Sequence, residues 1–224
     1  MARKPALLAL ALATALASHA HATLMRAMPF DDKVEHAASI ILGKCVSTHS
    51  QWDAEHRWIL TYSTFQVEQS MKGAAPAQVT IVTPGGSVEG VHQETVGVPR
   101  FQQGDENVLF TKATDLGPTV LYFDQGTYDI YADGSDKMVA PRLTGAVLVD
   151  SQRGAAVEQE HPRPLREFQR DVRDSMARTR AEKMEMVRAH KQQASISGTF
   201  DRYKVLILLA LLGALVATIQ LLRK

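Results

Sequence analysis

The residues in this chain best suited to chemistry lie in the run HSQWDAEH, where His49, Asp53, Glu55 and His56 fall within eight positions. Imidazole nitrogens and carboxylate oxygens so close together could ligate a divalent metal, and a bound metal could activate water for hydrolysis. The spacing matches no zinc signature, so the run reads better as a solvated hairpin loop than as a metal centre; His49, Asp53 and His56 are kept as metal candidates. Ser87 in GGSVEG invites a nucleophile-elbow reading, but Glu89 stands where Gly-x-Ser-x-Gly needs glycine. A turn requiring positive φ accounts better for Gly85 and Gly86. Asp105 and Glu106 are adjacent carboxylates at a turn. Tyr122, Phe123, Tyr128 and Tyr131 could line a ligand groove on one strand face, although core or edge packing is the simpler role. Cys45, in the apolar run SIILGKCVS, reads as a small buried hydrophobe. There is no P-loop, no Gly-x-Gly-x-x-Gly and no His-Glu-x-x-His. No catalytic residue, cofactor or enzymatic activity is expected, and the binding residues are unassigned.

The elements that would position these residues follow from pattern. Residues 1–22 carry Arg3 and Lys4, an apolar run from Ala6 to Ala17 and then Ala20-His21-Ala22, the order of a secretory signal peptide cleaved after Ala22. At the far end, 205–222 reads VLILLALLGALVATIQLL, with Thr218 and Gln220 its only polar residues. As a helix of 18 residues it would span about 27 Å, enough for one bilayer crossing. Together the two ends predict a type I single-pass protein of the bacterial cell membrane, with a periplasmic or extracellular head and Arg223 and Lys224 in the cytoplasm.

Between them the charge is uneven. Thr23 to Glu158 holds 10 Lys and Arg against 17 Asp and Glu, a net of −7, whereas Gln159 to Lys204 holds 11 against 7, a net of +4. An acidic head over 23–158 therefore precedes a basic helical neck and linker over 159–200, with the boundary near Gly154 to Pro164. Net −7 and export both disfavour a nucleic-acid partner. The neck should be helical from Pro164 to about Gln193, with Leu165, Phe168, Val172, Met176, Thr179 and Val187 on one face. Its first turns should pack on the head, and its remaining stripe could pair with a second copy. Ala194 to Phe200 reads as a flexible joint.

In the head, a short helix near Asp31 to Ala38 precedes apolar or alternating runs at Ile40–Val46, Trp58–Val67, Val79–Val82, Val108–Thr111, Val120–Phe123, Tyr128–Tyr131 and Ala146–Val149. Ile40-Ile41-Leu42 is apolar on both faces and must be deeply buried. The class is mainly β, a sandwich or small barrel. The succession IILGKCVSTHSQW, TYSTFQVEQSMKG, VTIVTPGG and VGVPRFQQGDENVLF, then FDQGTYDI, resembles a family of bacterial exported proteins with an OB-like, netrin/TIMP-like barrel. The likeness covers about Asp31 to Tyr131, including the Lys72-Gly73 turn and the Phe101 to Asp105 turn, and extends weakly to the helix at Leu165. It implies an OB-like β-barrel and an exported location, with no established activity. Inhibition by an amino-terminal cysteine, as in TIMP-like proteins, is not implied, because the first mature residue would be Thr23. The expected function is non-catalytic binding or scaffolding in the envelope, with the bilayer and an envelope protein as partners. The alternatives are an envelope-protease inhibitor and a metal-assisted hydrolase using the His49 to His56 loop.

Overall fold

The structure is a computed structural model that describes residues 24–142, 147–150, 152–157 and 160–222; within its last helix the side chains of 193–202, 205, 207, 216, 217 and 220 lie outside the description. The expected signal peptide, 1–22, also lies outside it. The strands are β1 (Leu24–Arg26), β2 (Ser39–Trp52), β3 (Ile59–Lys72), β4 (Gln78–Pro84), β5 (Gly86–Val88), β6 (Val91–Gln93), β7 (Glu106–Lys112), β8 (Thr119–Val120), β9 (Thr127–Asp133), β10 (Asp136–Pro141), β11 (Val147–Val149) and β12 (Arg163–Pro164). Among the described residues the helices are α1 (Phe30–His36) and α2 (Leu165–Leu222), with a 3-10 turn at Phe123–Gly126. Two compact units divide between Arg173 and Asp174, so the first turns of α2 belong to the head.

The main sheet is antiparallel and ordered β12-β10-β9-β7-β2-β3-β4, with β8 added to β7. Period-2 alternation sorts its side chains into two cores. Ile41, Cys45, Phe65, Ile81, Leu109 and Val120 fill one face with Phe101. Ile40, Val108, Phe110 and Tyr128, all fully buried, occupy the other, where α1 and the start of α2 cover them with Val34, Phe168 and Val172. Hence Ile40, Ile41 and Leu42 are buried together, as their unbroken apolar run requires.

The expected barrel is not closed. β8 is only two residues long, and a single backbone hydrogen bond, Val82 N–H to Pro118 O at 2.8 Å, links its approach to β4. The chain leaves β8 through Tyr122 and Phe123, both at positive φ, before a β4–β8 ladder can form. The strand expected at Val120–Phe123 ends at Val120 for the same reason. β10, not anticipated, hairpins back on β9 through Asp133-Gly134.

The joint expected at Ala194 to Phe200 is also corrected: the backbone is helical from Leu165 to Leu222 without interruption. Ser195, Ser197 and Gly198 weaken a helix by fractions of a kcal/mol up to about 1 kcal/mol each, and no proline is present to break it. Among the described residues no helix is long and apolar enough to cross a membrane. That finding does not take in the whole run 205–222, five of whose side chains are outside the description.

Candidate functional site

The loop richest in candidate ligands is a hairpin end between β2 and β3. His49 lies in β2, its ring stacked on Tyr62 across the strand pair at 5.3 Å, while His56 stacks on Trp52 at 6.0 Å. Asp53 accepts the Arg57 N–H at 2.7 Å, and its own N–H donates to Trp58 O; the Arg57 backbone donor first, then that of Trp58 and the Arg57 charge, hold the Asp53 carboxyl below the usual range. Among the described residues no group of three His, Cys, Asp or Glu is placed to hold a metal. His49, Asp53 and His56 are therefore not brought to a common point.

Ser87 does meet a histidine. β5 and β6 form a hairpin turning at Glu89 and Gly90, both at positive φ, and Ser87 pairs with His92 across it, Oγ to Nδ1 at 2.8 Å. Both side chains are exposed, and among the described residues no carboxylate hydrogen-bonds His92, so the third member of a triad is missing. Gly86 has φ +139° and a Cβ there would fall 2.4 Å from Ser50 Oγ, which accounts for the glycine pair by backbone geometry. Cys45 is 1% exposed, and burial with the nearby Asp105 charge pushes its thiol up. The four aromatic candidates are dispersed: Tyr128 is in the outer core, Tyr131 is exposed on β9, and Tyr122 and Phe123 border a groove of about 180 Å³ with Val98 and Pro99.

The concentrated electrostatics of the head lie elsewhere. α1 places Phe30, Lys33, Val34 and Ala37 along one stripe, so Lys33 points into the outer core and is 3% exposed. Its Nζ donates to Tyr128 Oη at 2.6 Å and to Glu160 Oε1 at 2.5 Å. Tyr128 donates to the same carboxylate, 3.0 Å from both oxygens. Arg163, placed by the β10–β12 pair, reaches Glu160 Oε2 at 3.4 Å and Asp171 at 3.0 Å, with its guanidinium over Phe30 and Phe168. Aromatic edges enclose the group: Phe30 to Phe168 at 5.5 Å, Tyr128 to Phe168 at 4.8 Å and Phe110 to Tyr128 at 5.5 Å.

An ammonium removed from water needs a paired anion and filled hydrogen bonds to persist. Burial lowers the Lys33 pKa, and the Glu160 charge and hydrogen bond oppose that shift. Burial first, then the Glu160 charge, raises Tyr128 well above the ordinary phenol value, so it remains a donor. Lys33 has its amine committed within the core, which suits charge recognition rather than nucleophilic attack. Glu160, its side chain 30% exposed, lines a cleft of about 420 Å³ together with Arg26, Phe30, Asp150 and Val157.

Sequence reasoning overlooked Lys33 and Glu160. The available signal was a lysine on the apolar stripe of a short helix, since such a position implies a buried partner. No family model, curated protein or solved structure matches the chain.

Proposed function

We propose that this chain is a non-catalytic binding or scaffolding protein of the bacterial envelope, its head outside the cytoplasmic membrane and residues 205–222 its single anchor. The observation that carries the reading is that one helix serves both parts. α2 begins inside the head core, with Phe168 and Val172 almost wholly buried, and its backbone continues without a break into the apolar run VLILLALLGALVATIQLL. A head tied in this way to a lipid-compatible segment suits recognition at a membrane surface. The acidic head disfavours nucleic acid as its partner. The partners in this reading are the bilayer and an envelope protein, with a second copy contributing through the exposed Met184 and Val187 of α2.

Fractionation of cells producing the full chain tests the anchor, and crosslinking from the head in the same cells tests the binding role. Recovery in the membrane fraction, resistant to carbonate wash and released by detergent, is the expected result. A chain that remains soluble without detergent contradicts it.

A further inference from the structure

Three donors from different parts of the head converge on one carboxylate. Lys33 comes from α1, Tyr128 from β9 and Arg163 from β12, and all point at the side chain of Glu160. Two of the three donors are buried, with Lys33 3% and Tyr128 1% exposed, whereas the Glu160 side chain is 30% exposed and lines the cleft. Lys33 and Tyr128 are therefore fixed by the sheet and the aromatic core, while Arg163, its side chain 27% exposed, and Glu160 stand at the solvent side. This is the geometry of a carboxylate-binding site filled from within: an ammonium, a phenol and a guanidinium supply charge and directed hydrogen bonds, with aromatic walls beneath.

We propose that Lys33, Tyr128 and Arg163 form a carboxylate-binding site, that Glu160 occupies it as an internal ligand, and that a partner's acidic side chain entering the cleft competes for it. Charge complementarity selects the occupant. With Glu160 withdrawn, the buried Lys33 loses its principal counter-charge behind the cleft, whereas Arg163 keeps Asp171 and Arg26 shares the wall with Asp150. The hydrophobic wall at Phe30 and Val157 suits the methylene stem of a glutamate. The inference deepens the binding role proposed above by naming the partner's chemistry and rests on it for the partner alone. Its test reads affinity in vitro, so it fails or succeeds independently of membrane anchoring.

The probe is N-acetylglutamate α-amide, whose single anionic group is a side-chain carboxylate, titrated into the full chain in detergent at constant ionic strength with chloride as control. In Glu160→Ala the probe should raise the melting temperature saturably, and Glu160→Ala combined with Lys33→Met should abolish the response. The wild type should respond with a midpoint about tenfold or more higher, because a tethered carboxylate competes at millimolar effective concentration. Should Glu160→Ala not fold, Glu160→Gln keeps the shape of the side chain and should respond at concentrations below those the wild type needs. Four results would each overturn the proposal: no saturable response in either variant, a response that survives Lys33→Met, a wild type unmoved at concentrations that saturate the variant a thousandfold over, or inorganic phosphate matching the probe.

Discussion

Lys33 Nζ lies 2.5 Å from the carboxylate of Glu160, a residue 127 positions further along the chain. The contact joins the first helix of the head to the segment that leads into α2. It also sets the energetics of the outer core, because each of these two charges is the other's principal compensation. Removing the anion leaves an ammonium in an aromatic enclosure, whereas removing the cation leaves a carboxylate that can turn toward the cleft.

The two truncations should therefore be unequal. Glu160→Ala should cost about 2–4 kcal/mol, the cost of an uncompensated buried charge reduced for the partial exposure of Glu160. Lys33→Met should cost less, and Lys33→Met in the Glu160→Ala background should restore part of the loss. Urea melts of the four proteins form the double-mutant cycle that checks this.

Phe168 is 1% exposed and contacts Phe30, Phe110 and Tyr128 edge to face. Phe168→Ala should destabilise the head by about 3–5 kcal/mol. Amide exchange in 165–173 should accelerate with it, since these turns share the head's core. Unchanged exchange in that stretch would contradict the packing described.

The tyrosine gives a pH dependence with a definite sign. Tyr128 has its pKa raised in the folded state, so its contribution is complete below the unfolded value near 10.0 and is lost as pH rises beyond it. Lys33, lowered in the folded state, acts in the opposite sense, favouring folding as pH climbs toward 10.5. Tyr128→Phe should cost about 1–3 kcal/mol at neutral pH through its lost hydrogen bonds. The gap from wild type should narrow above pH 10, and melting curves from pH 7 to 11 would show whether it does.

Cys45 is enclosed by Phe65, Ile81 and Leu109, and its thiol is pushed up by burial. Iodoacetamide at pH 7.5 should leave it unmodified in the folded protein and alkylate it fully in denaturant. Rapid labelling of the native protein would contradict its place in the core.

Much of the sheet was legible in the sequence because its strands carry their own signal. The apolar run at Ile40 to Leu42, the alternation around Phe65 and the turn at Gly104-Asp105 each mark local structure. Barrel closure was not legible, since it depends on how far β8 extends, and left-handed backbone at Tyr122 and Phe123, neither of them glycine, stops it. β10 was missed because Asp136 to Pro141 contains few strand-forming residues and owes its conformation to pairing with β9. The carboxylate cluster was invisible for a different reason. Lys33, Tyr128, Glu160 and Arg163 share no spacing, and only the fold brings them to one point. His49, Asp53 and His56 do share a spacing, but His49 stacks on Tyr62 across the strand pair, Asp53 takes the Arg57 N–H in the loop and His56 stacks on Trp52.

Protease added to spheroplasts reads the proposed anchored topology. The head should be digested, and a small fragment containing 205–222 should stay with the membrane. A head protected until the membrane is lysed, or a full-length chain recovered soluble without detergent, would contradict it.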